Sequence, residues 1–247
     1  MPTKTGRFIV IDGIAGSGKS TFADAAAAWA ARCGHKVFRL GDAEKATGLP
    51  PRFEDVADAE VLFTYEPTRS WVGAAIRGEL SREDQPYGGM ELAHAFALDR
   101  QILYRRLLLP ALAAGKTIIQ ERSVSSSIVY QPIMVGGPTL ETLLALPGNA
   151  QAMANAPHHL VLTRIRPETS VARLAQRDRH LSAFGGARGV FGNLDYLKRV
   201  DERFRADWYR ALWETAGTAV HELDTDRSLD AVRADAERLV ATLLPAC

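Results

Sequence analysis

Residues 8–21 have the sequence FIVIDGIAGSGKST. The apolar run at residues 8–11 is typical of a buried strand, and the alanine-rich stretch after Lys19 is typical of a helix. Between them lies the pattern G-x-x-x-x-G-K-[ST]. Its glycines let backbone N–H groups surround phosphate oxygens, while the N-terminus of the helix favours anions. The stretch therefore predicts a strand, a loop and a helix that together bind a nucleoside triphosphate.

We call residues 13–21 the phosphate loop and expect all of them to contribute to triphosphate binding. The ammonium group of Lys19 can reach the β- and γ-phosphates, and the hydroxyl group of Ser20 can hold Mg²⁺. A structural glycine-rich turn is the alternative, which the flanking strand and helix disfavour. The predicted triphosphate-binding residues are Gly13, Ile14, Ala15, Gly16, Ser17, Gly18, Lys19, Ser20 and Thr21.

The composition is that of a globular protein whose length is ordinary for one α/β domain. The chain has 247 residues, of which 47% are hydrophobic and 24% charged, and a formal net charge of +1. A balance so near neutrality argues against general binding of nucleic acids or membranes. Cys33 and Cys247 make no disulfide framework and fit a reducing compartment. The sequence therefore predicts a single cytoplasmic domain over residues 1–247, with no nucleic-acid or membrane partner.

Strand and helix patterns alternate along the chain, which predicts an α/β fold with a mostly parallel sheet covered by helices on both faces. One long helix is expected over residues 90–114, bent near Pro110. Another helix is expected over residues 196–215, and turns are expected at 136–138 and 147–149. In such sheets ligands bind at the carboxyl ends of the strands.

Two stretches interrupt that alternation. Residues 41–59 carry turn and charged residues, and they are predicted to form an excursion with one short helix. Residues 180–193 are rich in glycine and poor in apolar anchors, which favours a loop.

Arginines precede the second of these stretches. Arg173 and Arg177 lie four residues apart on a predicted helix, where like charges are slightly destabilising unless they face an anion. We therefore expect a lid over about residues 177–194 whose arginines stabilise charge on a transferred phosphoryl group and exclude water. A basic solvated face is the alternative.

An acidic residue and two arginines follow a predicted strand near residue 65. Glu66 comes directly after the strand, Arg69 follows three residues later, and Arg77 lies on the next predicted helix. Arginines neutralise phosphate and can bind it in a bidentate way, so this group suits a second, anionic substrate. A solvated helix start with ordinary surface charges is the alternative for Arg69.

Phe96 and Arg100 are four residues apart and share one face of the long predicted helix. A ring that stacks on a base and a guanidinium that reaches its edge would suit a nucleotide substrate. By spacing alone, a core phenylalanine beside an Asp99–Arg100 ion pair is the favoured alternative.

Glu121 and Arg122 follow another buried strand. A carboxylate at a strand end can hold Mg²⁺, directly or through water, because Mg²⁺ prefers few carboxylates together with waters and phosphates. Arg122 can bridge the donor and acceptor phosphates. A structural ion pair is the alternative, which the upstream phosphate loop disfavours.

Taken in order along the chain, these stretches resemble the thymidylate kinases, and especially their archaeal-type members. The resemblance covers most of the chain and rests on residues 8–21, 66–70, 73, 76–77, 96–100, 110–112, 115–116, 121–122, 126–131, 167–168, 173 and 177.

The resemblance implies a P-loop NTPase fold, a three-layer sandwich with a glycine- and arginine-rich lid. It also implies transfer of the γ-phosphoryl group of ATP to dTMP, with Mg²⁺ as cofactor and small nucleotides as substrates. The family often forms homodimers, which implies a homodimer here.

Site roles follow from the resemblance position by position. Phe96 would stack on thymine and Arg100 would contact the base. Ser127, Tyr130 and Gln131 would line the base and sugar pocket. Arg77 and Arg122 would hold the acceptor phosphate, and Arg177 would meet the transferred group. The implied catalytic residues are Lys19, Glu121, Arg122 and Arg177, the implied Mg²⁺ ligands are Ser20 and Glu121, and the implied substrate-binding residues are Glu66, Arg69, Arg77, Phe96, Arg100, Arg122, Ser127, Tyr130 and Gln131.

Some residues depart from the family pattern. Glu121-Arg122-Ser123 stands where the family usually has Asp-Arg-Tyr, and Ala15 stands where many members have an acid. Residues 41–59 and 136–155 look like insertions. The Glu-Arg-Ser triplet also resembles deoxynucleoside kinases, in which Glu66 would act as base on a sugar hydroxyl. A nucleotide-binding regulator is a further alternative.

Overall fold

A computed structural model describes residues 5–82, 86–181 and 193–244, with side chains omitted for residues 177–181. The strands are β1 Arg7–Asp12, β2 Val37–Arg39, β3 Val61–Tyr65, β4 Thr117–Glu121, β5 His159–Arg164 and β6 Ala219–Asp224. The α-helices are α1 Lys19–Arg32, α2 Leu40–Thr47, α3 Trp71–Ala75, α4 Gly89–Leu103, α5 Leu109–Ala113, α6 Val124–Tyr130, α7 Leu140–Ala145, α8 Pro147–Ala154, α9 Pro167–Leu181, α10 Leu194–Arg205, α11 Asp207–Thr215 and α12 Leu229–Leu243.

The strands form one parallel sheet in the order β2-β3-β4-β1-β5-β6, so the expected α/β fold is confirmed. Ile11 and Tyr65 both pair with Glu121, on the two sides of β4. The carboxyl ends of β3, β4 and β1 are therefore level with one another. This register brings the polar residues that follow these three strands to one edge of the sheet.

Each face of the sheet is covered by its own apolar core. Phe8 and Val10 of β1 point into a core with α4, α6 and α11, while Ile9 and Ile11 point into a core with α1 and α12. Successive side chains of a strand point to opposite faces, so a strand buried on both sides has a continuous apolar run. The run at residues 8–11 is thus explained by its central place in the sheet.

Three elements differ from the sequence predictions. The long helix is irregular before Pro110: residues 104–108 form a π-helical segment between α4 and α5. The predicted turn at 147–149 is wrong, since Pro147 begins α8, a position where its missing N–H costs no hydrogen bond. The helix over 196–215 is two helices, because Ala206 has an extended backbone.

The excursion over residues 41–59 contains α2 and a 3₁₀-helix at Phe53–Val56, one short helix more than predicted. Residues 182–192 of the predicted lid lie outside the described residues, and so does the side chain of Arg177. No helix in the described part of the chain is long and apolar enough to span a bilayer.

Candidate active site

A cavity of about 700 Å³ opens at the carboxyl ends of β1, β3 and β4. It is lined by the phosphate loop and by residues that follow β3 and β4, together with side chains of α4, α6 and α9. The structure thereby brings together most residues that the sequence singled out. The predicted site residues on its wall are Ala15, Gly16, Gly18, Lys19, Ser20, Glu66, Arg69, Arg77, Phe96, Arg100, Glu121, Arg122, Ser127, Tyr130 and Gln131.

The phosphate loop needs glycine where its backbone is left-handed or crowded. Gly13 has a φ of 146°, and a Cβ there would lie 2.7 Å from the carbonyl oxygen of Thr163. Gly18, with a φ of 81°, directly precedes α1. The loop therefore brings the N-terminus of α1 to the cavity, where its N–H groups favour an anion.

Lys19 lies within the loop. It is buried, and its ammonium group donates to the carbonyl oxygens of Ile14 at 3.0 Å and Gly13 at 3.4 Å. Ser20, next along the chain, is exposed on the cavity wall. The two side chains thus present an ammonium and a hydroxyl at the mouth of the loop.

Residues far along the chain brace the loop. The hydroxyl of Thr225 donates to the carbonyl of Ser17 at 2.7 Å, and the hydroxyls of Ser17 and Thr163 lie 2.6 Å apart. Ser170 of α9 donates to the carbonyl of Ala15. These contacts fix the loop from β5, β6 and α9.

Asp12 is a site residue that the sequence interpretation did not single out. It is fully buried at the end of β1 and accepts hydrogen bonds from the hydroxyls of Ser125 at 2.5 Å and Ser126 at 2.8 Å, and from the N–H of Gly13 at 2.8 Å. Arg122 lies 3.6 Å away. Asp12 therefore joins the phosphate loop to the start of α6. An acidic residue at the end of β1, directly before the phosphate loop, was a signal from which its place in the site could have been predicted.

A buried ion pair forms the floor of the cavity. Arg100 donates to Glu66 at 2.7 and 2.8 Å, and Gln120 donates to the second carboxylate oxygen at 2.9 Å. Arg100 also donates to Ser127 at 3.0 Å and to Asn149. The ion pair between Asp99 and Arg100 that the spacing favoured is therefore wrong, because the guanidinium of Arg100 pairs with Glu66 instead.

Burial raises the pKa of Glu66 to about 7, even though Arg100 and Gln120 favour the ionised form. The carboxylate is thus the acidic group of the site that titrates near neutral pH. Its neighbours hold it in one orientation, which fixes the end of β3 against α4.

Two arginines stand over one tyrosine at the side of the cavity. The guanidinium carbons of Arg69 and Arg77 lie 5.6 and 5.5 Å from the ring centre of Tyr65. Arg77 also donates to the carbonyls of Pro67 and Thr68 at 3.0 Å. Burial, followed by the positive charge of Arg69, lowers the pKa of Arg77. The nearby positive charge of Arg69 is the contribution that a bound anion would offset.

Arg122 has a left-handed backbone, with a φ of 65°, directly after β4. Its N–H donates to the carbonyl of Ile11 at 2.8 Å, which ties the ends of β4 and β1 together. Its guanidinium donates to Ser126 at 2.9 Å and lies 5.4 Å from the ring centre of Tyr130. Glu121 beside it completes an acid–arginine pair on the cavity wall.

Aromatic and amide groups also line the cavity. Phe96 is half-buried, and Tyr130 and Gln131 are buried at the end of α6. The side-chain oxygen of Gln131 is buried without a hydrogen-bond partner among the described residues. A buried acceptor left unpaired is unfavourable, so this oxygen indicates a donor group on a bound molecule.

Other cavity residues escaped the sequence interpretation. Each of them is next in sequence to a residue that was predicted, and this adjacency was the signal that could have found them. They are Tyr65, Pro67, Ser123 and Ser126. Arg173 lies on the wall, as its place before the predicted lid suggested, and donates to the carbonyl of Thr225 at 2.9 Å.

No cluster of three or more His, Cys, Asp or Glu side chains able to hold a metal occurs among residues 5–82, 86–176 and 193–244. Ser20 and Glu121 are hydroxyl and carboxylate groups on the same cavity wall. This sparse oxygen set fits Mg²⁺, which keeps waters and substrate phosphates as its remaining ligands.

Known proteins resemble this chain over most of its length. A family model described as thymidylate kinase matches residues 45–236. A probable thymidylate kinase of Pyrobaculum calidifontis is 30% identical, over 96% of this chain and 98% of the relative. A probable thymidylate kinase of Natronomonas pharaonis is 26% identical, over 96% of this chain and 98% of the relative. A thymidylate kinase of Symbiobacterium thermophilum is 27% identical, over 96% of this chain and 94% of the relative.

Proposed function

The chain belongs to the thymidylate kinase family, and we propose that it transfers the γ-phosphoryl group of ATP to dTMP, giving ADP and dTDP. One observation carries the proposal. The same cavity is lined by the phosphate loop, by arginines, by an aromatic ring and by Gln131, whose buried amide oxygen has no partner among the described residues. A donor site and an acceptor site in one cavity suit a transfer between two bound nucleotides.

On the donor side, the N–H groups of the phosphate loop and Lys19 would bind the phosphates of ATP. Ser20 and Glu121 would hold Mg²⁺. When bound, Mg²⁺ neutralises charge on the β- and γ-phosphates. The assignment of the loop residues Gly13 to Thr21 is supported by the left-handed glycines and by the start of α1 at the cavity.

On the acceptor side, Phe96 would stack on thymine, and Ser127, Tyr130 and Gln131 would line the base and sugar pocket. Arg100 would contact the base. Its guanidinium is already held by Glu66, Ser127 and Asn149, so it would also keep the lining of this pocket in place.

Arginines would bind the acceptor phosphate and meet the transferred group. Arg69, Arg77 and Arg122 are candidates for the acceptor phosphate, since all three lie on the cavity wall. Arg177 would act from the lid. An acceptor phosphate oxygen would bond to the γ-phosphorus while the bond to the bridging oxygen breaks. The attacking oxygen of the acceptor phosphate is already ionised and needs no base. Positioning and positive charge therefore supply the catalysis.

Two alternative functions fit less well. A deoxynucleoside kinase would use Glu66 as base, but both oxygens of this carboxylate already accept hydrogen bonds from Arg100 and Gln120. A nucleotide-binding regulator would need no acceptor pocket, whereas the arginines and the aromatic ring on the cavity wall suit one.

We also propose that residues 1–247 form one kinase domain, with a lid near 177–194, which acts on small nucleotides in the cytoplasm and forms a homodimer. These proposals rest on the composition and on the family to which the chain belongs.

A panel of acceptors tests the proposed function. Purified protein with ATP and Mg²⁺ should release ADP with dTMP and not with thymidine, as measured by a coupled assay. Turnover of thymidine without turnover of dTMP would support the deoxynucleoside kinase instead. ADP release that is independent of any acceptor would favour the regulator.

A further inference from the structure

Helix α2 lies in the excursion that the proposed function does not use. It packs against β3 and buries two of its side chains, Leu40 and the carboxylate of Glu44. Burying a carboxylate is costly unless hydrogen bonds compensate for the lost water. The partners of Glu44 therefore indicate what this helix contributes.

Among the described residues, three groups donate to Glu44, and all belong to the segment 65–70. The hydroxyl of Tyr65 donates at 2.5 Å, the N–H of Arg69 at 2.8 Å and the hydroxyl of Ser70 at 2.8 Å. One carboxylate thus ties both ends of this segment to α2.

The segment contains Arg69, and the carbonyls of Pro67 and Thr68 within it accept hydrogen bonds from Arg77. The ring of Tyr65 lies beneath the guanidinium groups of Arg69 and Arg77, at distances that permit cation–π attraction. A Cβ added to Gly41 would be 3.4 Å from the Tyr65 hydroxyl oxygen, so α2 packs closely against the ring. Fixing this ring fixes the surface on which both arginines rest.

We propose that Glu44 is a positioning residue for the acceptor phosphate. It holds Tyr65 and the backbone of Arg69, and through them it holds the guanidinium groups of Arg69 and Arg77 where they receive the phosphate of the monophosphate substrate. Glu44 does not line the cavity, so it acts through this segment and not by contact with substrate. This role rests on the proposed function.

The test compares Glu44→Ala with Glu44→Gln. KM for dTMP, KM for ATP and kcat are measured by ADP release, and dTMP affinity is measured by calorimetry. We expect Glu44→Ala to raise KM and Kd for dTMP at least about tenfold, as befits loss of charge-assisted hydrogen bonds, with KM for ATP unchanged within about twofold.

Glu44→Gln should restore most of that loss. Its side-chain oxygen can still accept from the N–H of Arg69 and the hydroxyl of Ser70, while its amide donates to the oxygen of Tyr65. We expect dTMP affinity within about threefold of the wild type. Lys45→Ala, at an exposed position of the same helix, is the matched control and should match the wild type.

Tyr65→Phe keeps the test decisive if Glu44→Ala does not fold. It removes a single hydroxyl and should raise KM for dTMP about threefold or more. The role is overturned if a folded Glu44→Ala, or Tyr65→Phe, binds dTMP as the wild type does, or if KM for ATP rises equally. A wild type that neither binds nor phosphorylates dTMP would instead refute the proposed function, and the positioning role with it.

Discussion

The donor and acceptor sides of the cavity are built in different ways. The donor side is the phosphate loop, nine consecutive residues that carry their own glycines and are braced by Thr163, Ser170 and Thr225. The acceptor side combines segments from β3, β4, α4, α6 and α8, which are far apart in sequence. The groups assigned to the triphosphate are therefore consecutive in this chain, whereas the groups assigned to the acceptor are brought together only by the assembled fold.

The two sides also differ in what holds their cationic groups. Lys19 donates to backbone carbonyls of its own loop. On the acceptor side, buried carboxylates fix the cationic groups and the segment that carries them: Glu66 binds Arg100, Glu44 binds the segment 65–70, and Asp99 accepts from Thr68 at 2.6 and 2.7 Å. We therefore expect the acceptor side to respond to pH and to single substitutions outside the cavity.

The largest effect is expected at the donor side itself. Lys19→Ala removes the cation predicted to meet the β- and γ-phosphates, and kcat should fall about 100-fold to 1,000-fold, as for other preorganised groups that stabilise transition-state charge. ADP release at saturating dTMP measures it. Lys45→Ala should retain wild-type kcat, and an active Lys19→Ala would remove the phosphate loop from the mechanism.

Next comes the pH dependence that buried Glu66 imposes on stability. Its folded-state pKa, about 7, exceeds the ordinary value of 4.5, so between these values the native state holds a proton that the unfolded state releases. The bound proton stabilises the native state fully below pH 4.5, and this stabilisation is lost as the pH rises to 7. The free energy of unfolding should fall by about 3 kcal/mol over this range.

Urea denaturation at several pH values tests that linkage. Glu66→Gln, whose side chain cannot ionise, should lose this part of the pH slope. The exposed Glu54→Gln should retain the wild-type slope. An unchanged slope in Glu66→Gln would mean that Glu66 titrates at its ordinary value.

A smaller and more selective effect is expected at Arg77. Arg77→Ala should raise KM for dTMP roughly 10-fold to 100-fold, the range for one charge-assisted contact with phosphate, while KM for ATP stays constant. Initial rates at fixed ATP measure it, with the exposed Arg105→Ala as control. Equal changes in both KM values would contradict the division into donor and acceptor sides.

The smallest effect is expected where distant residues brace the phosphate loop. Thr225→Ala removes the hydroxyl that donates to the carbonyl of Ser17, which should cost about 1 kcal/mol of stability and raise KM for ATP only a few-fold. Thermal unfolding and ATP kinetics measure it. Thr47→Ala, at an exposed helix end, is the control; a larger rise in KM for dTMP than for ATP would assign Thr225 to the other side.

The sequence predicted the fold class because its periodic patterns are local. The strand at residues 8–11 and the helix after Lys19 are both present as expected. The π-helical segment at 104–108 was not predicted, and Pro147 was assigned to a turn although proline is also favoured at the first position of a helix. Residue spacing also cannot reveal that Arg100 binds Glu66, 34 positions away.

By itself, the sequence determined the phosphate loop and its strand and helix, since a loop of nine residues carries its own glycines, lysine and helix start. Only the tertiary structure decided how the acceptor side is held. The partners of Glu66 and Glu44, and the contacts of Asp12 with Ser125 and Ser126, join residues that lie far apart in the chain. A buried charge is stable only where the fold supplies its partners, and those partners are set by three-dimensional proximity.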